Sequence, residues 1–206
     1  MIVETFNLDE IQKEVLKDYY SVARKLLFSG KKYAKDFRNK RCRITYSAPE
    51  KIIINGNTYI AFFGSPTSSL KDFGFQLFLK VLTSKGVSYY RILGGGLVFK
   101  ISNHFIKRFI ERSQYNCNSN NFLLYLAKDL NVPMVAMSNG NVSYSSSLNG
   151  FVVMQNNCYI TYMTDLSRIN NARKEAADKD VFELYSRNNS IEDTKEFYKT
   201  AFMRCQ

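Results

Sequence analysis

Apolar residues recur at helical spacing over residues 8–28, where Leu8, Ile11, Val15, Tyr19, Val22, Leu26 and Leu27 follow one another at intervals of three, four and one. The rhythm predicts an amphipathic helix capped by Asp9 and ended by Ser29-Gly30. Residues 51–63, KIIINGNTYIAFF, form two apolar runs around Asn55-Gly56-Asn57 and predict a β-hairpin, broken off at Ser65-Pro66-Thr67. Leu70, Phe73, Leu77, Val81 and Leu82 predict a helix over 70–82 that stops near Lys85-Gly86 and packs on the hairpin. A strand over 88–93 and another over 97–101 flank Gly94-Gly95-Gly96. Short helices over 102–113 and 121–130 come next, then apolar segments at 132–137, 142–147, 150–155 and 159–164. The separators of those segments, Asn139-Gly140-Asn141, Leu148-Asn149-Gly150 and Asn156-Asn157, are turn chemistry, so they read as an antiparallel meander. Two polar helices, over 168–187 and 190–202, close the chain. The expected class is α+β: an N-terminal helix and hairpin, then helices packed on a meander sheet in the C-terminal half, with terminal helices.

Charge sharpens this picture. The 206 residues carry 29 Lys plus Arg against 18 Asp plus Glu, a formal net charge of +11, while 45% apolar residues supply enough material for a core. The excess therefore sits on a folded surface, where it draws polyanions. It is also localised. Arg24, Lys25, Lys31, Lys32, Lys35, Arg38, Lys40, Arg41 and Arg43 face a single acid, Asp36, so this window holds +8 of the total. Lys31, Lys32, Lys35, Arg38, Lys40, Arg41 and Arg43 are accordingly the expected nucleic-acid contacts, with Tyr33 and Phe37 interleaved either to stack on bases or to pack. Gly94-Gly95-Gly96 lacks the Lys-Ser or Lys-Thr of a phosphate loop and precedes a strand rather than a helix, so it reads as a tight turn.

The start of the sequence has no basic segment followed by an apolar stretch, and no apolar run nears the roughly 20 residues that cross a bilayer. A cytoplasmic protein with no membrane partner is expected. Cys42, Cys117, Cys158 and Cys205 form no CxxC pair and read as reduced thiols, and a single histidine rules out a His-rich metal site. No metal and no cofactor are expected.

That histidine opens the helix over 102–113. With His104 as origin, Arg108, Glu111 and Arg112 fall within about 100° of arc, opposite Phe105, Ile106, Phe109 and Ile110. One helix face thus offers a proton-transfer group, two anion-binding guanidiniums and a carboxylate to orient them. The same four residues also describe an ordinary surface helix laced by i,i+3 and i,i+4 pairs.

The string Ile101-Ser102-Asn103-His104-Phe105-Ile106-Lys107-Arg108-Phe109-Ile110-Glu111-Arg112, followed by a meander, resembles the strand and S-x-H-x-x-x-R-x-x-E-R helix of the barnase, EndoU, colicin and RelE superfamily of metal-independent ribonucleases and their phage-associated relatives. The resemblance spans residues 97–166, about a third of the chain. It implies a RelE- or barnase-like core there, a basic α/β region over 1–96 and a helical extension over 167–206, in one compact unit. It also implies a catalytic set of His104, Arg108, Arg112 and Glu111, with Thr161 and Thr164 placing hydroxyls near the scissile phosphate and Tyr144 and Tyr162 as weaker members. β-Propensity alone also accounts for the two threonines. Lacking a second histidine, the chain departs from a two-histidine scheme.

Two functional expectations result, with a third beside them. The first is an RNA-directed, toxin-like or phage-associated endoribonuclease cleaving by 2′-hydroxyl attack, with an acidic antitoxin or immunity-type protein as a further partner. The second is a non-catalytic nucleic-acid-binding protein of phage or mobile-element origin. The third is a structural or interaction protein that uses the same charge on an acidic partner.

Overall fold

The structure is a computed structural model that describes residues 1–38, 46–65, 73–130, 136–139 and 142–164. The two C-terminal helices expected beyond residue 166, the cations Lys40, Arg41 and Arg43, and Cys42 and Cys205 lie outside the described residues.

The first helix, α1 (Leu8–Arg38), begins two residues earlier than a cap at Asp9 would allow. Asn7 is the cap: its Oδ1 accepts from the Glu10 backbone N–H at 2.9 Å, while Glu10 Oε2 accepts from the Asn7 N–H at 2.7 Å. This reciprocal pair is a capping box. The helix also runs through Ser29-Gly30 instead of ending there. Its buried stripe of Ile11, Val15, Val22 and Leu26 continues in Tyr33, which stacks on Phe63 at 5.0 Å, and in Phe37, which lies 5.8 Å from Phe73. Gly30 helps, because a Cβ there would stand 3.3 Å from the Phe63 ring. The roughly 1 kcal/mol that a helical glycine costs is thus offset by packing on the sheet.

Strands β1 (Glu50–Ile54) and β2 (Asn57–Gly64) form the expected hairpin. Asn55 and Gly56 both have positive φ, 47° and 77°, as a type I′ turn requires. The helix expected over 70–82 is instead strand β3 (Gly74–Thr83), followed by β4 (Gly86–Ile92). Leu77, Leu79 and Val81 point to the α1 side and Phe78 to the other. A strand buried on both faces reads as a continuous apolar run, and such a run mimics helical spacing. Gly94–Gly96 is a tight turn leading into β5 (Val98–Ile101), in line with the sequence.

Helix α2 (Asn103–Arg112) starts at Ser102, whose hydroxyl accepts from the Phe105 N–H at 3.0 Å, and α3 (Phe122–Asp129) follows. The meander comprises β6 (Ala136–Asn139), β7 (Val142–Ser146), β8 (Phe151–Gln155) and β9 (Cys158–Met163). All nine strands join one sheet in the order β1-β2-β3-β4-β5-β9-β8-β7-β6, antiparallel throughout except for the β5–β9 seam.

Helices cover both faces of this α+β fold. On one side α1 packs with Tyr59, Ala61, Phe63, Leu77, Leu79, Tyr90, Ile92 and Val98. On the other, α2 and α3 pack with Phe62, Phe78, Phe99, Ile101, Val152, Met154, Tyr159 and Tyr162. A bulge on β9 makes this second core: Val153 pairs with Thr161 and Met154 with Tyr159, leaving Ile160 as the extra residue. The phase shift turns both Tyr159 and Tyr162 toward α2, and the Ile160 carbonyl accepts from the Ser102 hydroxyl at 3.3 Å.

Candidate nucleic-acid interface

The face of α1 opposite its buried stripe is basic from Lys13 to Arg38, beyond an acidic first turn at Asp9 and Glu10. Lys13, Lys17, Arg24, Lys31, Lys35 and Arg38 fall within about 60° of arc and span about 37 Å of helix. All six are exposed. Lys17 pairs with Glu14, and neighbouring Lys25 reaches the Ile53 carbonyl at 3.4 Å. Lys13, Arg24, Lys31, Lys32, Lys35 and Arg38 have no ion-pair partner among the described residues. A line of cations of which only Lys17 has a counter-charge among the described residues is a standing potential for a polyanion.

Of the seven cations expected to contact nucleic acid, Lys31, Lys35 and Arg38 are on this face and Lys32 lies about 60° beyond its edge, all four exposed. The two aromatics noticed beside them turn inward: Tyr33 and Phe37 pack on Phe63 and Phe73. The rings that project outward are Tyr20 and Phe28, 81% and 78% exposed. They stand one turn on either side of Arg24. Their sequence signal is phase: both lie with the cations, away from Val15 and Val22.

The histidine helix lies across the sheet from this surface, since α1 and α2 belong to opposite cores. Its four polar residues are drawn to different partners. His104 is exposed. Arg108 Nη1 lies 2.9 Å from Glu111 Oε2, with Lys107 at 4.0 Å from the same carboxylate. Arg112 Nη1 donates to the Tyr162 carbonyl at 2.9 Å and so fastens the end of α2 to β9. Thr161 shares the side of the sheet taken by Val153, opposite that of Tyr162, because of the bulge; its hydroxyl does not face α2 as the ribonuclease resemblance implied. Thr164 is exposed beyond the end of β9, and Tyr144 lies on β7 opposite Val153. Tyr162 is buried, and its hydroxyl donates to Asp129 at 2.9 Å.

Arg112 is therefore an anchor and His104 a surface residue. Arg112→Ala is expected to cost about 1 kcal/mol by removing a charge-assisted bond to the sheet, whereas His104→Ala should stay within about 0.5 kcal/mol of the parent. Urea midpoints of the two variants check the difference.

Sequence reasoning also missed two buried carboxylates. Asp18, on the inner side of α1, accepts from Asn55 Nδ2 at 2.8 Å, from Asn57 Nδ2 at 2.7 Å and from the Tyr59 hydroxyl at 2.7 Å, tying the helix to the hairpin turn. Asp129, at the end of α3, holds Tyr162 and Asn149. In the Gly94–Gly96 turn two of the three N–H groups are already engaged: that of Gly95 donates to the Tyr19 hydroxyl and that of Gly96 to the Leu93 carbonyl. Among the described residues no group of His, Cys, Asp or Glu is placed to hold a metal ion.

Fold and surface together define an α+β protein with helices on both faces of one mixed sheet and a one-sided basic helix. No family model, no curated protein and no solved structure matches the chain. No helix among the described residues is long and apolar enough to cross a membrane.

Proposed function

We propose that this chain is a cytoplasmic nucleic-acid-binding protein, with RNA the favoured polymer, that holds the phosphodiester backbone along the outer face of α1. The observation that carries the reading is the stripe itself. Its cations are aligned, exposed and, among the described residues, largely without ion-pair partners, and no acid from Ser21 to Lys35 interrupts them. Backbone contact of this kind needs no concave pocket, only regularly spaced cations that release counter-ions from the polymer.

The endoribonuclease reading has less support. It needs His104, two guanidiniums and a sheet hydroxyl to converge on one phosphate, and in this fold Arg108 is paired, Arg112 is engaged by a carbonyl and Thr161 faces away. An acidic antitoxin-type protein would compete for the α1 stripe rather than for the histidine helix.

The test is a salt series with a fluorescein-labelled RNA 20-mer. With six phosphate contacts on a single strand, the slope of log K against log salt approaches about −4, and affinity drops on the order of 10²-fold between 50 and 200 mM salt. Binding that is absent at low salt, or flat across the series, overturns the proposal.

A further inference from the structure

We infer that the α1 surface is built for single-stranded rather than duplex nucleic acid, with Tyr20 and Phe28 as stacking platforms for bases on either side of the backbone held by Arg24. The inference rests on the function proposed above and adds the form of the polymer. Tyr20 is 81% exposed and Phe28 78%, more than any other aromatic residue described; Tyr20 lies within the cationic stripe and Phe28 about 20° beyond its edge. The order Tyr20, Arg24, Phe28 repeats every four residues, so ring, guanidinium and ring form one ridge, with the two rings about 12 Å apart along the axis. Leu27, 67% exposed, adds apolar surface beside Phe28.

A duplex presents sugar and phosphate to such a helix and keeps its base faces stacked inside. Exposed rings would gain nothing there, while the cations alone would suffice. A single strand can turn its bases outward, and base-on-ring stacking is tolerant of sequence because every base has a π-face. The six cations hold the backbone and the rings take the bases, which is the division of labour expected of a groove or ridge that follows one strand. The inner aromatics make the contrast: Tyr33 and Phe37 on the same helix are consumed by Phe63 and Phe73, so the outward placement of Tyr20 and Phe28 is not a general feature of α1.

The experiment compares the full chain with a Tyr20→Leu/Phe28→Leu variant, which keeps apolar bulk but removes the rings. Both are titrated by fluorescence anisotropy with a U20 single strand and with an RNA duplex of the same length, alongside phosphatidylserine vesicles. Both positions are exposed, so matching circular dichroism and melting are expected. The parent should prefer the single strand, and the variant should lose about 10- to 100-fold in affinity for it while its duplex affinity and its salt slope stay unchanged. Equal losses for single strand and duplex, or no loss for either, overturn the inference while leaving nucleic-acid binding in place. Failure of the parent to bind either polymer overturns the underlying function instead, and vesicle binding that the leucine variant retains in that event identifies the surface as a lipid contact.

Discussion

Replacing Arg24, Lys31 and Lys35 together by Glu is expected to lower RNA affinity by about three orders of magnitude at 150 mM salt, with no loss of folding stability. Each replacement removes an attraction and adds a repulsion next to a phosphate. At contact distance in water a unit charge pair is worth about 1 kcal/mol, so three reversals amount to about 6 kcal/mol before ionic screening takes roughly a third of it. The remainder corresponds to about 10³-fold in affinity. Stability should hold because all three side chains are exposed and none makes an ion pair among the described residues. Anisotropy titration and a thermal melt of the same preparation check both halves. A triple reversal on α2 and α3, at Lys107, Arg108 and Lys128, is the control: it changes net charge by the same amount and should weaken binding by less than about tenfold, since those helices cover the opposite side of the sheet from α1. Equal losses from the two triple variants would mean that net charge, rather than the stripe, attracts the polymer.

Much of the fold was legible in the chain because local chemistry and tertiary packing agree there. The hairpin at Asn55-Gly56 and the turn at Asn156-Asn157 follow from side chains that tolerate positive φ, and all but Gly56 of these are asparagines at 47°, 50° and 54°. Helix α2 followed from Ser102 and from a phenylalanine stripe that had one place to go. Legibility failed where distant contacts overrode local signals. Ser29-Gly30 looks like a helix end, yet Phe63, thirty-three residues beyond Gly30, makes continuation favourable. Strand β3 reads as a helix because both its faces are buried, and only the pairing of Leu77 with Ala61 and Ile92 decides its period.

The site divided in the same way. The concentration of charge between Arg24 and Arg43 was plain in the sequence, but its alignment into a stripe with Lys13 and Lys17 depends on the helix running unbroken for 31 residues. The candidate catalytic set was legible as spacing, but the partners its side chains take were not. Spacing places His104, Arg108, Glu111 and Arg112 on one face, but it says nothing of the Tyr162 carbonyl that takes Arg112, nor of the bulge that turns Thr161 away. A one-residue insertion in a strand inverts every side chain beyond it, and no periodicity in β9 announces Ile160 as that insertion.

The second large effect concerns Asp129, the fully buried carboxylate at the end of α3. Its Oδ2 accepts from the Tyr162 hydroxyl at 2.9 Å, and its Oδ1 accepts from the Asn149 backbone N–H at 3.1 Å and side-chain Nδ2 at 3.0 Å. Asn149 Nδ2 also donates to the Tyr115 hydroxyl at 2.8 Å, so one carboxylate organises α3, the β7–β8 turn and β9. Asp129→Ala strands these donors in the core and is expected to cost about 3 kcal/mol, lowering the melting temperature by about 10 °C. Asp129→Asn should cost less, because the amide carbonyl still accepts from Asn149 and the Tyr162 hydroxyl can turn to accept from the new amide. The two forms also differ in pH dependence. Burial pushes the Asp129 carboxyl above the ordinary aspartate range, outweighing the donors from Ser147, Tyr162 and Asn149 that favour the charged form. A carboxyl whose folded pKa is raised binds more protons folded than unfolded, so its contribution to stability is present in acid and is lost as pH rises from the ordinary aspartate value toward the raised one. The amide of the Asp129→Asn variant has no proton to lose. The stability gap between parent and variant should therefore shift in favour of the variant from about pH 4 upward, the ordinary aspartate value being about 3.9. Urea unfolding at four pH values measures that gap, and a gap independent of pH would show that these hydrogen bonds hold the carboxylate ionised despite its burial.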